Sequence, residues 1–287
     1  MIERYLSKVI YNDLQDKMVF IGGPRQVGKT TLARYVGEEH YAGKFNYLNW
    51  DNRLDRKIII KEEFQGTNEL IIFDEIHKYK KWKNYIKGEY DKNKDVFKII
   101  VTGSSRLDMY RKHGDSMLGR YYYFRIHPLS VAELTKNNND YGPFSKLSFD
   151  KPSKSITDIF SNLYKYGGFP EMYIKKDKNK LGRWHNSRVE NIIREDIRDI
   201  ASIRDLGTLE LLAEIMPEKI GSLLSINSLT EDLQVSFKTV RSWIECLEQV
   251  YYLFRIYPYQ SKLIKSLKKE PKAYLWDWSQ LNEDGAK

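Results

Sequence analysis

Eight consecutive residues, Gly23-Pro24-Arg25-Gln26-Val27-Gly28-Lys29-Thr30, follow the pattern G-x-x-x-x-G-K-T directly after the apolar run Met18-Val19-Phe20-Ile21. In a loop of this form, backbone N–H groups wrap round phosphate oxygens and glycine lets the chain turn tightly. The run before it reads as a short buried strand, and Thr31-Leu32-Ala33-Arg34-Tyr35-Val36 reads as the helix leaving it. The loop then lies at a helix N-terminus, where free N–H groups and the helix dipole favour an anion. A Gly-rich turn would explain the glycines but not a Lys-Thr pair at the helix start. Gly23, Pro24, Arg25, Gln26, Val27, Gly28, Lys29, Thr30 and Thr31 are therefore the candidate nucleotide-binding residues. Lys29 reads as the cation for the β- and γ-phosphates and the Thr30 hydroxyl as a Mg²⁺ ligand, so ATP and Mg²⁺ are the expected cofactors.

Strands alternate with helices through the first half, which implies a parallel sheet covered by helices. Further candidate strands are Phe45 to Asn49, Leu70 to Phe73, Phe97 to Val101 and Tyr121 to Arg125. The third runs straight into Asp74-Glu75. That position delivers Asp74 to the Mg²⁺ shell beside Thr30 and lets Glu75 polarise an attacking water, the two roles that hydrolysis of a phosphoanhydride needs. The fourth ends in Thr102-Gly103-Ser104-Ser105, where a polar side chain, Ser104 foremost, could sense the γ-phosphate. Arg120, just before the fifth strand, is a candidate arginine finger, and Arg25 is a second phosphate-side arginine. The catalytic set expected from the sequence is thus Glu75, Lys29, Ser104 and Arg120, with Thr30 and Asp74 at the metal.

These motifs resemble those of prokaryotic AAA-superfamily ATPases that carry a C-terminal domain of unknown function, number 4143. The resemblance rests on Gly22 to Leu32, on Phe73-Asp74-Glu75-Ile76-His77-Lys78 followed by Trp82, and on Val101-Thr102-Gly103-Ser104-Ser105. It continues through Tyr166-Gly167-Gly168-Phe169-Pro170-Glu171, Arg194-Glu195-Asp196-Ile197 and Lys272-Ala273-Tyr274-Leu275-Trp276-Asp277. It implies an α/β P-loop NTPase fold with an AAA-type sheet of strand order 5-1-4-3-2, a mainly helical second domain with a winged-helix element, and ATP hydrolysis. Such proteins commonly continue past the last motif into a nuclease-like domain. This chain ends at Lys287, either as a partial chain or as a member without that domain.

Composition shifts near residue 136, where Lys136 to Pro143 is polar and rich in turn-formers. The expected organisation is an ATPase domain over residues 1–140 and a helical domain over 150–287, with the winged-helix element at about 218–258. From Ser155 onward the period is helical, with Ile156, Ile159, Phe160 and Leu163 on one stripe. Ser225 to Leu233 and Ser236 to Ile244 form a helix–turn–helix pattern, and Val250 to Ile256 follows as a wing strand. In a DNA-binding module the second helix would turn Ser236, Lys238, Thr239, Arg241 and Ser242 outward. Lys238, Thr239 and Arg241 are the DNA-contact candidates.

The net charge of +9 over 287 residues favours polyanionic partners, though the charges from Ser236 to Gln249 sum to zero. No apolar run is long enough to span a bilayer, and the N-terminus lacks the apolar core of a secretory signal. The one cysteine, Cys246, excludes an internal disulfide and reads as a buried small hydrophobe. The expectation is a cytoplasmic, non-membrane ATPase acting as a switch or motor, with homo-oligomerisation the route by which an arginine is supplied in trans. The alternative is an ATP-responsive DNA-binding regulator in which hydrolysis is incidental. A phosphotransferase is disfavoured by Asp74-Glu75, which suits water as acceptor.

Overall fold

The five apolar runs form one parallel sheet in the computed structural model, which describes residues 2–64, 68–103, 117–136, 146, 151–198, 201, 203–261 and 266–281. Its strands are β1 (Met18–Gly22), β2 (Phe45–Asn49), β3 (Leu70–Asp74), β4 (Lys98–Thr102) and β5 (Tyr121–Arg125). They lie in the order β2-β3-β4-β1-β5, with every neighbouring pair parallel. Read from the other edge this is the 5-1-4-3-2 order of a P-loop AAA-type sheet. β1 and β3 are buried along their whole length, whereas the edge strands β2 and β5 are half-buried. Parallel strands need both faces covered, and their near-continuous apolar composition follows from that.

One face carries Phe20, Ile71, Phe73, Ile99 and Val101 against Ile59, Trp82 and Ile86 of α3 (Arg53–Lys61) and α4 (Trp82–Asn93). Helices α1 (Leu6–Leu14) and α2 (Lys29–His40) pack on β1, β3 and β4. A short α5 (Val131–Leu134) follows β5, its first turn capped by the Ser130 hydroxyl. The chain divides into two compact units, Met1–Lys151 and Pro152–Lys287.

The second unit is built from α6 (Lys154–Tyr166), α7 (Pro170–Lys175), α8 (Lys178–Asn191), α9 (Leu206–Ile215), α10 (Ile226–Leu233) and α11 (Phe237–Gln249). A π-helical stretch, Ile192–Ile197, continues α8. Its core joins Ile193, Leu209, Leu212, Leu229, Val240, Trp243, Ile244, Leu247 and Leu253. Ser225 and Ser236 cap α10 and α11, their hydroxyls accepting from the N–H groups of Ser228 and Thr239. Strands β6 (Leu253–Ile256) and β7 (Lys272–Leu275) pair antiparallel after α11, and Leu223 bridges to Lys272. Cys246 is buried in this core, where desolvation pushes its thiol up.

α6 forms where the helical period runs. Its stripe is not a core face, since Leu163 alone is buried and Phe160 and Tyr164 are exposed and stacked at 6.4 Å. What α6 supplies instead is an anchor. The Leu163 carbonyl accepts from Trp278 Nε1 at 2.7 Å, and Gly167 closes the helix at φ 75°. A Cβ on Gly167 would stand 2.6 Å from Asp277 Oδ1 and 2.8 Å from Ser279 Oγ. Arg188 is buried beside this point, its guanidinium 4.0 Å above the Phe169 ring and 3.9 Å from Asp277 Oδ2. Gly167 and Phe169 of one motif thus meet Asp277 of another in one buried cluster.

Candidate functional site

The sheet register brings the polar ends of three strands level. Asn49 pairs with Asp74, Asp74 with Thr102, and Thr102 with Ile21, so the carboxyl ends of β2, β3 and β4 lie beside the exit of β1. This is where ligands sit in open α/β sheets. The loop leaves β1 through Gly23, whose φ of 144° and whose missing Cβ, which would lie 2.4 Å from the Ile126 carbonyl oxygen, admit only glycine. Gln26 and Gly28 are also left-handed, at φ 64° and 98°. Gly28 is the N-cap of α2, so the helix begins at Lys29 with its first N–H groups facing the loop.

Lys29 is buried and its Nζ donates to the carbonyls of Gly23 and Pro24 at 3.1 and 2.8 Å, which sets the ammonium across the mouth of the loop. Thr30 Oγ1 donates to Asp74 Oδ2 at 2.8 Å. The same carboxylate takes two further hydroxyls, Tyr47 Oη at 2.7 Å on Oδ2 and Thr102 Oγ1 on Oδ1. Burial, reinforced by Asp74, pushes the Tyr47 phenol up, so it stays protonated and donates. Glu75 follows in a left-handed turn at φ 55° and opens the short 3₁₀ turn Ile76–Lys78, with its N–H on the Thr102 carbonyl at 3.0 Å. Burial raises the Glu75 carboxyl above its ordinary value, while Lys78 and Lys29 pull it back.

The structure therefore gathers Gly23, Pro24, Gly28, Lys29, Thr30, Asp74 and Glu75 at one place. Arg25 is half-buried, and Gln26 and Thr31 are exposed along the same loop. Thr102 is fully buried and serves Asp74, which removes it as a direct contact for a γ-phosphate. Ser104 and Ser105 lie outside the described residues. Arg120 is not brought to this loop. It precedes β5 at the opposite end of the sheet, its carbonyl accepting from Met18 N and its Nε lying 2.7 Å from Asp91 Oδ1. On α11, Lys238, Arg241, Ser236 and Ser242 are exposed and Thr239 is half-buried, with Arg241 Nε 3.2 Å from Glu245 Oε1.

Two contributors carry no signal in the sequence. Tyr47 reaches Asp74 only through the β2–β3 register. Arg4, buried at the N-terminus, donates from Nη1 to the Val27 carbonyl at 2.9 Å, from Nη2 to the His127 carbonyl, and from Nε to Glu133 Oε1 at 2.7 Å. One guanidinium so fastens the phosphate loop to the segment after β5 and to α5.

Residues 15–135 match the family described as AAA domain, and residues 157–283 match a domain of unknown function, DUF8612. The second match corrects the expectation of domain 4143: the motifs around Gly167 and Asp277 fall within DUF8612. An uncharacterized protein of Methanocaldococcus jannaschii, MJ1544, is 24% identical over 95% of this chain and 65% of its own length. An uncharacterized protein of Haemophilus influenzae is 24% identical over 96% of this chain and 71% of its own. The chain thus spans about two thirds of the length of these relatives. Among solved structures, similarity extends to the Orc1 protein of Aeropyrum pernix in complex with DNA, with TM-score 0.41, 12% identity and coverage of 96% of this chain and 90% of that one. It extends also to AMPPCP-bound DnaA from Aquifex aeolicus, with TM-score 0.41, 13% identity and coverage of 85% and 86%. In the family match over residues 15–135 and in strand order alike, the N-terminal unit is similar to an AAA-type domain.

Proposed function

We propose that the N-terminal unit binds ATP with Mg²⁺ and hydrolyses it. The observation that carries this reading is the meeting of Thr30 Oγ1 and Asp74 Oδ2 at 2.8 Å, with Glu75 adjacent in sequence and Lys29 across the loop. A hydroxyl and a carboxylate at the start of α2 suit a hard cation that completes its shell with phosphate oxygens and water, so the donor set fits magnesium. Thr30 and Asp74 would hold the ion, which when bound neutralises charge on the phosphates. Lys29 and the loop N–H groups hold the phosphates in place, and the Glu75 carboxylate orients and deprotonates water. Its partly buried position limits the contact of the base with bulk solvent. Lys29→Ala is expected to abolish nucleotide binding. Glu75→Gln is expected to bind ATP normally and to turn it over about a hundredfold more slowly, measured by phosphate release. Equal turnover by Glu75→Gln and wild type would remove Glu75 from this role.

A second reading is favoured by the arrangement of α10, α11, β6 and β7. Two capped helices joined at a left-handed Gln234 (φ 53°) and followed by an antiparallel pair suit a winged-helix element, with Lys238 and Arg241 exposed on its second helix. In this reading the second unit binds DNA in a nucleotide-dependent way. Duplex binding that responds to ATP and weakens in Lys238→Ala would support it.

A further inference from the structure

Lys78 belongs to the motif that follows Glu75, yet the hydrolytic roles assigned above leave it without a task. Its Nζ lies 2.5 Å from Asp51 Oδ2 and 3.6 Å from Glu75 Oε2. Asp51 sits in the turn just after β2, and Glu75 just after β3. The ammonium therefore bridges the ends of two neighbouring strands. His77 Nε2 approaches the same Glu75 oxygen at 3.5 Å from the buried side. The Glu75 side chain is one-fifth exposed, whereas Asp51 is half exposed.

Resting on the ATPase reading, we propose that Lys78, fixed by Asp51, is the positioning residue that aims the Glu75 carboxylate. A glutamate has three rotatable side-chain bonds, so its carboxylate has no fixed aim unless something holds it. A lysine head is itself mobile on a four-carbon stem unless something anchors it. Asp51 supplies the anchor. With Oε2 drawn toward Lys78 and His77, the second oxygen is left to face a water. In this arrangement Lys78 acts through Glu75 alone.

The test compares Lys78→Met, Lys78→Arg, Asp51→Asn and Glu75→Gln, singly and with Lys78→Met added to Glu75→Gln. Steady-state phosphate release and the affinity of a fluorescent ATP analogue are measured on the full chain. Lys78→Met is expected to lower kcat about tenfold or more, with KM and analogue affinity within about twofold of wild type, and Lys78→Arg is expected to restore most of the rate. Asp51→Asn should lower kcat in the same direction and less. Because Lys78 acts through Glu75, adding Lys78→Met to Glu75→Gln should cost nothing further. A wild-type rate in Lys78→Met, an equal loss in the Glu75→Gln background, or a matching loss of analogue affinity overturns the proposal while the ATPase reading stands. A wild-type protein that binds the analogue and releases no phosphate overturns both.

Discussion

Asp74 accepts three hydroxyls, those of Thr30 and Tyr47 on Oδ2 and that of Thr102 on Oδ1. A carboxylate so surrounded is oriented before any ligand arrives, and groups that orient a metal ligand commonly tune affinity tenfold or more. Tyr47→Phe removes one donor and little volume. It is expected to raise the Mg²⁺ concentration for half-maximal phosphate release roughly tenfold while leaving the fold intact. An unchanged Mg²⁺ dependence would show that Tyr47 is structural. Glu75 makes a separate prediction. Burial holds its proton to a higher pH than the ordinary carboxylate value of 4.5, with Lys78 and Lys29 acting the other way. The carboxylate is therefore lost on acidification before an exposed glutamate would be, and the acid limb of kcat/KM falls above pH 4.5. A pH–rate profile with no acid limb above that value would contradict this. The placement of Asp74 and Glu75 was legible because the pair directly ends an apolar run that forms a buried strand. Tyr47 was not, because its partnership is made by sheet register between residues 27 apart.

Between elements the same logic recurs on a larger span. Arg4 joins the phosphate loop, the segment after β5 and α5 through three donors, and its partner Glu133 is 129 residues away. The strand–loop–helix motif could be read directly, since its backbone demands are local. The element that braces it could not, since a lone arginine near an N-terminus looks like any solvated charge. In the second unit, Gly167, Arg188 and Asp277 meet only after α6, α8 and the segment beyond β7 have packed. Gly167→Ala tests how much that junction matters. The new methyl would meet Asp277 Oδ1 at 2.6 Å and the backbone φ of 75° would be strained. With ψ at 175° this is a region open essentially to glycine alone, so strain of about 1–3 kcal/mol and overpacking of about 1–3 kcal/mol act together. The expected outcome is a loss of roughly 2–6 kcal/mol in the unfolding of the second unit by urea. An unchanged midpoint would mean that Asp277 and Ser279 move aside without cost.

Across the whole molecule, a net charge of +9 leaves the choice of partner to where the charges stand. Summed along α11, two cations cancel two anions, which argues against a nucleic-acid face. The structure divides them differently. Glu248 is turned to Arg255, accepting from its backbone N at 3.0 Å and from Nη2 at 2.5 Å. Glu245 is occupied by Arg241 at 3.2 Å. Lys238 stays exposed at the start of the helix, and Arg241 is held by a surface pair worth no more than about 1 kcal/mol, which a phosphate can replace. If α11 meets DNA, Lys238→Ala should weaken duplex binding about equally across sequences. It should also reduce the slope of log affinity against log salt by about 0.9, the amount for one phosphate contact. Arg241→Ala should act in the same direction, whereas Glu245→Ala, by freeing Arg241, should tighten binding. Fluorescence anisotropy with a labelled duplex, at several salt concentrations and with or without ATP, reads all three. Binding that ignores salt, or that is unmoved by Lys238→Ala and Glu245→Ala alike, would take this face of the second unit out of any contact with DNA.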